Sequence, residues 1–239
     1  MPPPAGAPDA APSPARLERF RSPLKALAVG LVALLLMLAF AQLAGEVLEG
    51  DTRGFDLHVL DAARSLRLAH PWLGEAMRDL SGLGSTVVLA VLSVGTVGYL
   101  AAFSSRTTAA FVALSVASGA LLVIVFKAAF GRLRPDPAFA ELVVAGQSFP
   151  SGHASVSAIV FLTLGALVAA TRSRWSERAY ILACAALLAG LVGLSRVALG
   201  VHWATDVLAG WAFGAAWAIV WLLVERGWVR RHRERSRPP

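Results

Sequence analysis

The stretch that decides the fold is LKALAVGLVALLLMLAFAQLA, residues 24–44, in which Lys25 is the only charged residue. A helix of about 21 residues is roughly 31 Å long, enough to cross the roughly 30 Å hydrocarbon core of a bilayer. Four further runs are uncharged and of similar length: Ser85–Ser104, Thr107–Phe126, Ser155–Thr171 and Ala179–Leu194. A sixth run, Ala204–Val224, carries a single acid, Asp206. The sequence therefore predicts an all-α, polytopic membrane bundle of six transmembrane helices.

The composition supports a membrane protein. Of the 239 residues, 56% are hydrophobic and 15% are charged, whereas soluble proteins are about 45–50% apolar and about 25% charged. The single cysteine, Cys184, lies in an apolar run, which excludes an internal disulfide and a cysteine metal cluster. The first run is longer than the apolar core of a signal peptide, so we expect a retained anchor and no cleavage near Ala39–Ala41.

The distribution of charge predicts the orientation in the membrane. A net charge of +7 would suggest a nucleic-acid partner in a soluble protein, but here the positive-inside rule explains it. If both termini are cytoplasmic, the cytoplasmic side receives Arg16, Arg19, Arg21, Lys25, Arg106, Arg172, Arg174, Arg178 and the arginine-rich tail from Arg226 to Arg237. The segment between the first two runs is instead acidic. We therefore expect a multi-pass protein of the cell (inner or plasma) membrane and no nucleic-acid partner.

The chain divides into three parts by composition. Residues 1–22 are rich in proline and alanine and predict a disordered cytoplasmic tail, residues 23–226 form one six-span domain, and residues 227–239 form a basic cytoplasmic tail. Within the domain, the polar segment Glu46–Gly84 predicts a short amphipathic helix on the outer surface, broken at Pro71-Trp72.

Three segments with ionisable residues reach the outer face in this topology: Lys127 with Arg134-Pro135, then Pro150-Ser151-Gly152-His153, then Ser195-Arg196 with His202 and Asp206. Each has an ordinary alternative taken alone. A lysine or arginine at a helix end can be an interfacial anchor, a serine can be a plain helix cap, and a histidine–aspartate pair can be a capping ion pair.

Taken together, the segments predict phosphoryl-transfer chemistry. Ser151-Gly152 opens a helix whose N-terminus can bind an anion. His202 and Asp206 are four residues apart on one helical face, so the carboxylate can orient the imidazole and leave its other nitrogen free to attack. Three cations, Lys127, Arg134 and Arg196, can neutralise phosphate oxygens. With two histidines, one for attack on phosphorus and one for protonation of the leaving oxygen, no metal is required.

The pattern Lys127-x6-Arg134-Pro135, Pro150-Ser151-Gly152-His153 and Ser195-Arg196-x5-His202-x3-Asp206 resembles the signature of the type 2 phosphatidic acid phosphatase superfamily, which includes vanadium haloperoxidases and glucose-6-phosphatase. The resemblance implies that His202 is the nucleophile, Asp206 orients it, and His153 is the general acid and then the base. It implies phosphate binding by Lys127, Arg134, Ser151, Gly152 and Arg196, with no metal or other cofactor. Ser195 would support the loop.

These observations predict a membrane-bound lipid phosphate phosphatase, with undecaprenyl diphosphate, phosphatidylglycerophosphate or phosphatidate as candidate substrates. In the predicted reaction, His202 becomes a phosphohistidine intermediate. A phosphotransferase that passes this phosphoryl group to a lipid or sugar acceptor is an alternative. A small transporter is disfavoured because the charges gather at one face. A soluble haloperoxidase is excluded by the spans. The alanine- and arginine-rich composition, with only Lys25 and Lys127 as lysines, suits a GC-rich bacterial genome. Protein partners are not predicted.

Overall fold

The fold is described from a computed structural model, in which residues 14–142 and 144–235 are placed, with side chains for 24–142 and 144–232. The described residues form eight α-helices and one short 3₁₀ helix, with no strand among them. The helices are α1 (Pro14–Glu49), α2 (Arg53–Ala69), α3 (Trp72–Gly82), α4 (Thr86–Phe103), α5 (Arg106–Phe130), α6 (Gly152–Ala170), α7 (Trp175–Ala198) and α8 (Ala204–Arg235); the 3₁₀ helix is Pro137–Phe139. The all-α prediction is confirmed.

Six segments of the described chain are long and apolar enough to cross a membrane, as predicted: Leu24–Glu49, Trp72–Phe103, Arg106–Phe130, Gly152–Ala170, Trp175–Ala198 and Ala204–His232. Their helices extend beyond most of the predicted apolar runs, because backbone hydrogen bonding continues past the last apolar residue. Helix α1 begins at Pro14, within the part of the chain predicted to be a tail; residues 1–13 lie outside the described residues.

The segment predicted to hold one amphipathic helix contains two. Helix α2 ends at Ala69 and α3 begins at Trp72, so the predicted break at Pro71-Trp72 is confirmed. One face of α2 is buried against the bundle through Asp56 and Leu60, and the opposite face is exposed. Only a short turn separates α3 from α4, in which Ser85 caps α4 by accepting a hydrogen bond from Val88 N at 3.3 Å.

Small residues let α6 and α8 pack closely at the centre of the bundle. A side-chain carbon at Gly214 would lie 2.4 Å from the Ser155 carbonyl oxygen, and one at Gly210 would lie 3.0 Å from that of Ser151. The two glycines are four residues apart, the spacing that allows membrane helices to approach each other. As a result, the N-terminus of α6 lies beside the N-terminus of α8.

An aromatic cluster fixes the loop that leads into α6. Phe149, which is fully buried, stacks on Phe40 of α1 with a ring-centroid distance of 5.9 Å, and Phe40 lies 5.7 Å from Phe213 of α8. Phe126 of α5 packs edge-on against Phe213 at 5.3 Å. Pro150 and Ser151 follow Phe149 directly, so burial of these rings anchors the loop at one end of the bundle.

Candidate active site

The residues singled out in the sequence converge at one end of the bundle. Lys127 lies in the last turn of α5, and Arg196 lies in the last turn of α7. Ser151 is the N-cap of α6, and Asp206 lies in the first turn of α8. Because α5 and α7 end where α6 and α8 begin, the structure brings all three predicted segments together.

His202 is held by Asp206 in a defined orientation. Its Nδ1 lies 3.2 Å from Asp206 Oδ2, which also accepts hydrogen bonds from Trp203 N at 3.0 Å and from the Ser148 hydroxyl. A carboxylate only accepts, so Nδ1 carries the hydrogen and Nε2 carries the lone pair. Both side chains are almost fully buried, with 2% of His202 and none of Asp206 exposed.

The free nitrogen of His202 points towards a cation. Arg134 Nη1 lies 3.1 Å from His202 Nε2 and also donates to the Val201 carbonyl oxygen at 2.7 Å. Burial lowers the pKa of His202 to about 4, although Asp206 acts in the opposite direction. The imidazole is therefore neutral near pH 7, with an unprotonated Nε2 that faces the Arg134 guanidinium.

Two further cations border this point. Lys127 Nζ donates to the carbonyl oxygens of Gln147 at 2.7 Å and Ser148 at 3.3 Å. Its Cε lies 3.8 Å from where a side-chain carbon on Gly152 would stand, which places it beside the start of α6. Arg196 Nη1 donates to Ser81 Oγ at 2.6 Å, and its buried Nε has no hydrogen-bond partner among the described residues.

Ser151 does not behave as a plain helix cap. It occupies the N-cap position, but its side chain makes no cap hydrogen bond, and its buried Oγ has no partner within the described part of the chain. Its backbone N donates to the Asp206 carbonyl oxygen at 3.0 Å, which joins the starts of α6 and α8. The hydroxyl and the α6 N-terminus thus remain available to an anion.

His153 occupies the first turn of α6 and is half-buried. Its ring makes no hydrogen bond within residues 14–142 and 144–235, and it lies within electrostatic reach of Arg196, His202, Arg134 and Lys127. The turn before α4 makes room for it, because a side-chain carbon at Gly84 would lie 3.3 Å from His153 Cδ2. The imidazole is therefore free to contact a molecule bound near the cations.

A glycine shapes the loop before His202. Gly200 has φ of +73°, a conformation that side-chain-bearing residues rarely adopt. A side-chain carbon there would also stand 2.0 Å from the Phe139 carbonyl oxygen. Glu141 N donates to the Leu199 carbonyl oxygen at 3.0 Å, so this loop packs directly on the segment that follows the 3₁₀ helix.

The family model of the PAP2 superfamily matches residues 108–230, more than half of the chain. The chain belongs to the PAP2 superfamily. The match contains all three signature segments, and the predicted resemblance is confirmed. Because this is a phosphatase family and the similar proteins are named phosphatases, the chain is a membrane phosphatase.

Similar proteins and structures cover most of the chain. Phosphatidylglycerophosphatase B of Bacillus subtilis (strain 168) is 35% identical over 184 residues, 75% of this chain and 87% of that protein. Lipid A 1-phosphatase of Rhizobium johnstonii is 32% identical over 176 residues, 64% of this chain and 66% of that protein. The crystal structure of a transmembrane PAP2 type phosphatidylglycerolphosphate phosphatase from Bacillus subtilis has a TM-score of 0.68 and 28% identity, covering 83% of this chain and 96% of its own. LpxE of Aquifex aeolicus has a TM-score of 0.54 and 25% identity, covering 70% and 94%.

Sequence reasoning missed several residues of this PAP2 site. Arg132 donates to Asp206 Oδ1 at 2.6 Å, and Asp56 of α2 pairs with the same guanidinium at 2.7 Å. Ser148 binds Asp206, and Thr205 lies between Arg132 and Asp56. The Gly131-Arg132-Leu133-Arg134 run was a usable signal for Arg132. Ser195, predicted to support the loop, donates to its own helix at Val192 O, 2.7 Å away.

Gly84 gives a test of how tightly this PAP2 site is packed. A methyl group there would lie 2.2 Å from Val192 Cγ1, so Gly84→Ala is expected to lower the free energy of unfolding by about 1–3 kcal/mol. Gly82→Ala is the matched control, because nothing lies within 4 Å of its added carbon. Thermal unfolding of the detergent-purified proteins measures both; equal melting temperatures for the two variants would contradict the expected crowding.

Proposed function

We propose that the chain is a lipid phosphate phosphatase that works through a phosphohistidine on His202. The observation that carries the proposal is the orientation of His202, with Nδ1 bound by Asp206 and Nε2 directed at Arg134 among further cations. A neutral, oriented imidazole beside a cluster of cations is suited to attack a phosphorus atom whose oxygens the cations hold.

In the first step, His202 Nε2 attacks phosphorus and the bond from phosphorus to the leaving oxygen breaks. His153 gives its proton to that oxygen, because an alkoxide is a poor leaving group. Lys127, Arg134 and Arg196 bind the non-bridging oxygens, together with the Ser151 hydroxyl and the Gly152 backbone. Arg134, now 3.1 Å from Nε2, exchanges this contact for a phosphate oxygen.

In the second step, His153 removes a proton from water, whose oxygen attacks phosphorus while the P–N bond breaks. Inorganic phosphate leaves, His202 returns to its neutral form, and His153 is again protonated. Asp206 keeps its hydrogen bond to Nδ1 throughout and stabilises the positive charge that the ring carries while phosphorylated. Because Lys127, Arg134 and Arg196 can neutralise the phosphate oxygens, the proposed route uses no metal ion.

The substrate is proposed to be a membrane lipid with a terminal phosphate. The site lies at one end of helices whose outer faces are apolar and exposed, so a lipid can keep its tails in the bilayer while its headgroup reaches the cations. Among the candidates, phosphatidylglycerophosphate is favoured, because the similar phosphatidylglycerophosphatase B matches more of this chain than the lipid A 1-phosphatase. Phosphatidate and undecaprenyl diphosphate are the alternatives to be measured.

The orientation is also a proposal. We place the site on the outer (periplasmic or extracellular) face of the cell membrane, with residues 1–22 and 227–239 in the cytoplasm around a phosphatase domain of residues 23–226. The support is a group of exposed arginines at the end of the bundle opposite His202: Arg172 and Arg174 in the turn between α6 and α7, and Arg178 in the first turn of α7. Positive charge of this kind is retained on the cytoplasmic side.

Phosphate release by detergent-purified protein tests the proposal. Phosphatidylglycerophosphate, phosphatidate, undecaprenyl diphosphate and lipid A are offered separately, and we expect free phosphate in amounts equal to the dephosphorylated lipid. Transfer of the phosphoryl group to an added lipid or sugar acceptor, without release of phosphate, would instead favour the phosphotransferase. No turnover of any of these lipids would refute a lipid substrate among them.

The same assay tests the metal-independent route. Phosphate release is expected to continue at an unchanged rate in excess EDTA, because cationic side chains take the place of metal ions. Orthovanadate is expected to inhibit, because it adopts the pentacoordinate geometry of the transition state and binds more tightly than a substrate. Loss of activity in EDTA, restored by magnesium, would falsify this route.

A further inference from the structure

We propose that Arg132 and Asp56 are positioning residues for the nucleophile, acting on His202 through Asp206. This inference rests on the proposed function of His202. It makes α2, a helix outside the three signature segments, part of the apparatus that sets the charge and orientation of the phosphorylated imidazole.

Arg132 links the two carboxylates with its planar guanidinium. Nη1 donates to Asp206 Oδ1 at 2.6 Å, and Nη2 donates to Asp56 Oδ2 at 2.7 Å. Asp206 Oδ2 faces His202, so the two oxygens of this carboxylate are held from opposite sides. A fixed fork of this kind suits arginine, since lysine offers a single point charge.

Asp56 is fully buried, although it belongs to a helix with an exposed face. Its Oδ1 accepts from Thr205 N at 2.9 Å, and its Oδ2 accepts from the Thr205 hydroxyl at 2.7 Å and from Arg132. Arg132 also donates to the Thr205 hydroxyl at 2.8 Å. Asp56 therefore holds the first turn of α8 by hydrogen bonds, and this turn contains Asp206.

The charge of this cluster explains why a second carboxylate is useful. Arg132 alone would neutralise Asp206, and a neutral pair would do little to stabilise the positive ring of phosphohistidine. Asp56 restores one net negative charge to the trio of Asp56, Arg132 and Asp206. The ring becomes positive in the transition state. Removal of Asp56 therefore reduces the stabilisation of the transition state more than it reduces substrate binding.

A purely structural role for Asp56 would be to attach α2 to the bundle. Helix α2 has a separate attachment for that purpose: Arg67 Nη2 donates to the Phe139 carbonyl oxygen at 2.7 Å, and Nη1 donates to that of Ala198. Asp56 contacts the residues that hold Asp206, whereas Arg67 does not. The two roles are therefore separable by experiment.

The test compares Asp56→Asn with Asp61→Asn, the same chemical change at an exposed position of α2. Asp56→Asn is expected to lower kcat by about 10- to 100-fold, the loss seen when a residue that orients a metal ligand is removed, and to leave KM nearly unchanged. Arg132→Lys is expected to lower kcat similarly. An Asp56→Asn enzyme with the kcat of Asp61→Asn would overturn the inference.

A double-mutant cycle with Asp206→Asn shows whether Asp56 acts through Asp206. If it does, adding Asp56→Asn to Asp206→Asn changes kcat by less than about 3-fold, because the two residues act as one unit. Losses that multiply in the double variant would indicate a merely structural role and overturn the inference.

If Asp56→Asn does not fold, Thr205→Val tests the same link between Asp56 and Asp206. A loss of kcat in Thr205→Val that Thr205→Ser restores supports the inference. Wild-type kcat in Thr205→Val overturns it.

Failure of this inference is distinguishable from failure of the proposed function. If the His202→Ala enzyme retains turnover, His202 is not the nucleophile, and the basis for any positioning residue is lost as well. An inactive His202→Ala enzyme together with a fully active Asp56→Asn enzyme removes the positioning role alone.

Discussion

Replacing His202 by alanine is expected to lower phosphate release by roughly 10⁴-fold or more, the scale of loss when the nucleophile of a covalent hydrolase is removed. Asp206 orients the His202 ring through Nδ1, and Nε2 faces the Arg134 guanidinium at 3.1 Å. A phosphorylated enzyme should also be absent. Rapid quench of detergent-purified protein with radiolabelled lipid, under alkaline conditions that preserve phosphohistidine, measures this intermediate.

The matched control is His58→Ala, because His58 is an exposed histidine on α2. This variant is expected to keep both turnover and the labelled intermediate. Melting temperatures establish that the inactive variant is folded. A His202→Ala enzyme that still forms a phosphoenzyme would show that another side chain is the nucleophile.

Replacing His153 by alanine is expected to lower turnover of a lipid phosphate by about 10²- to 10⁴-fold, the usual contribution of a general acid or base. The size of the loss in the first step should depend on the leaving group. A nitrophenolate leaves without protonation, so p-nitrophenyl phosphate still phosphorylates His202. Without a base, water attacks the intermediate slowly, and the phosphohistidine accumulates.

The measurement is a stopped-flow record of nitrophenol release from p-nitrophenyl phosphate by the His153→Ala enzyme. A burst comparable to the amount of enzyme, followed by a slow steady rate, is the expected result. His70→Ala, at an exposed position after α2, is the control and should show wild-type kinetics. Equal slowing of the first step with lipid and aryl substrates, with no burst, would contradict the role of His153 as the acid.

The spans could be predicted from the sequence because an apolar run is local information. The candidate site residues were singled out from local spacings in the same way. An apolar run of sufficient length indicates a helix that crosses the hydrocarbon of the membrane. A spacing of four residues, such as that between His202 and Asp206, indicates that two side chains lie on one face of a helix. The limits of the helices were less predictable. Helix α1 continues to Glu49 and begins at Pro14, since polar residues outside the hydrocarbon still form helical hydrogen bonds.

The surroundings of Asp206 could not be predicted in the same way. Asp56 and Thr205 are 149 positions apart, and an acid on a surface helix has the same local pattern whether it is solvated or buried. In the sequence, Asp56 was one of several acids in an outer segment. Arg132 lies inside the signature region, but only the path of the loop after α5 turns its guanidinium towards Asp206.

The distance along the chain between Asp56 and Thr205 has a consequence for biosynthesis. Chain segments enter the membrane in order, so Lys127 of α5 and the start of α6 are in place before α8 has been translated. His202, Asp206 and the contact with Asp56 arrive together with the last helix. If the proposed roles hold, a partly synthesised chain has some of the proposed phosphate ligands but lacks the proposed nucleophile, and we expect no hydrolytic activity until α8 is inserted.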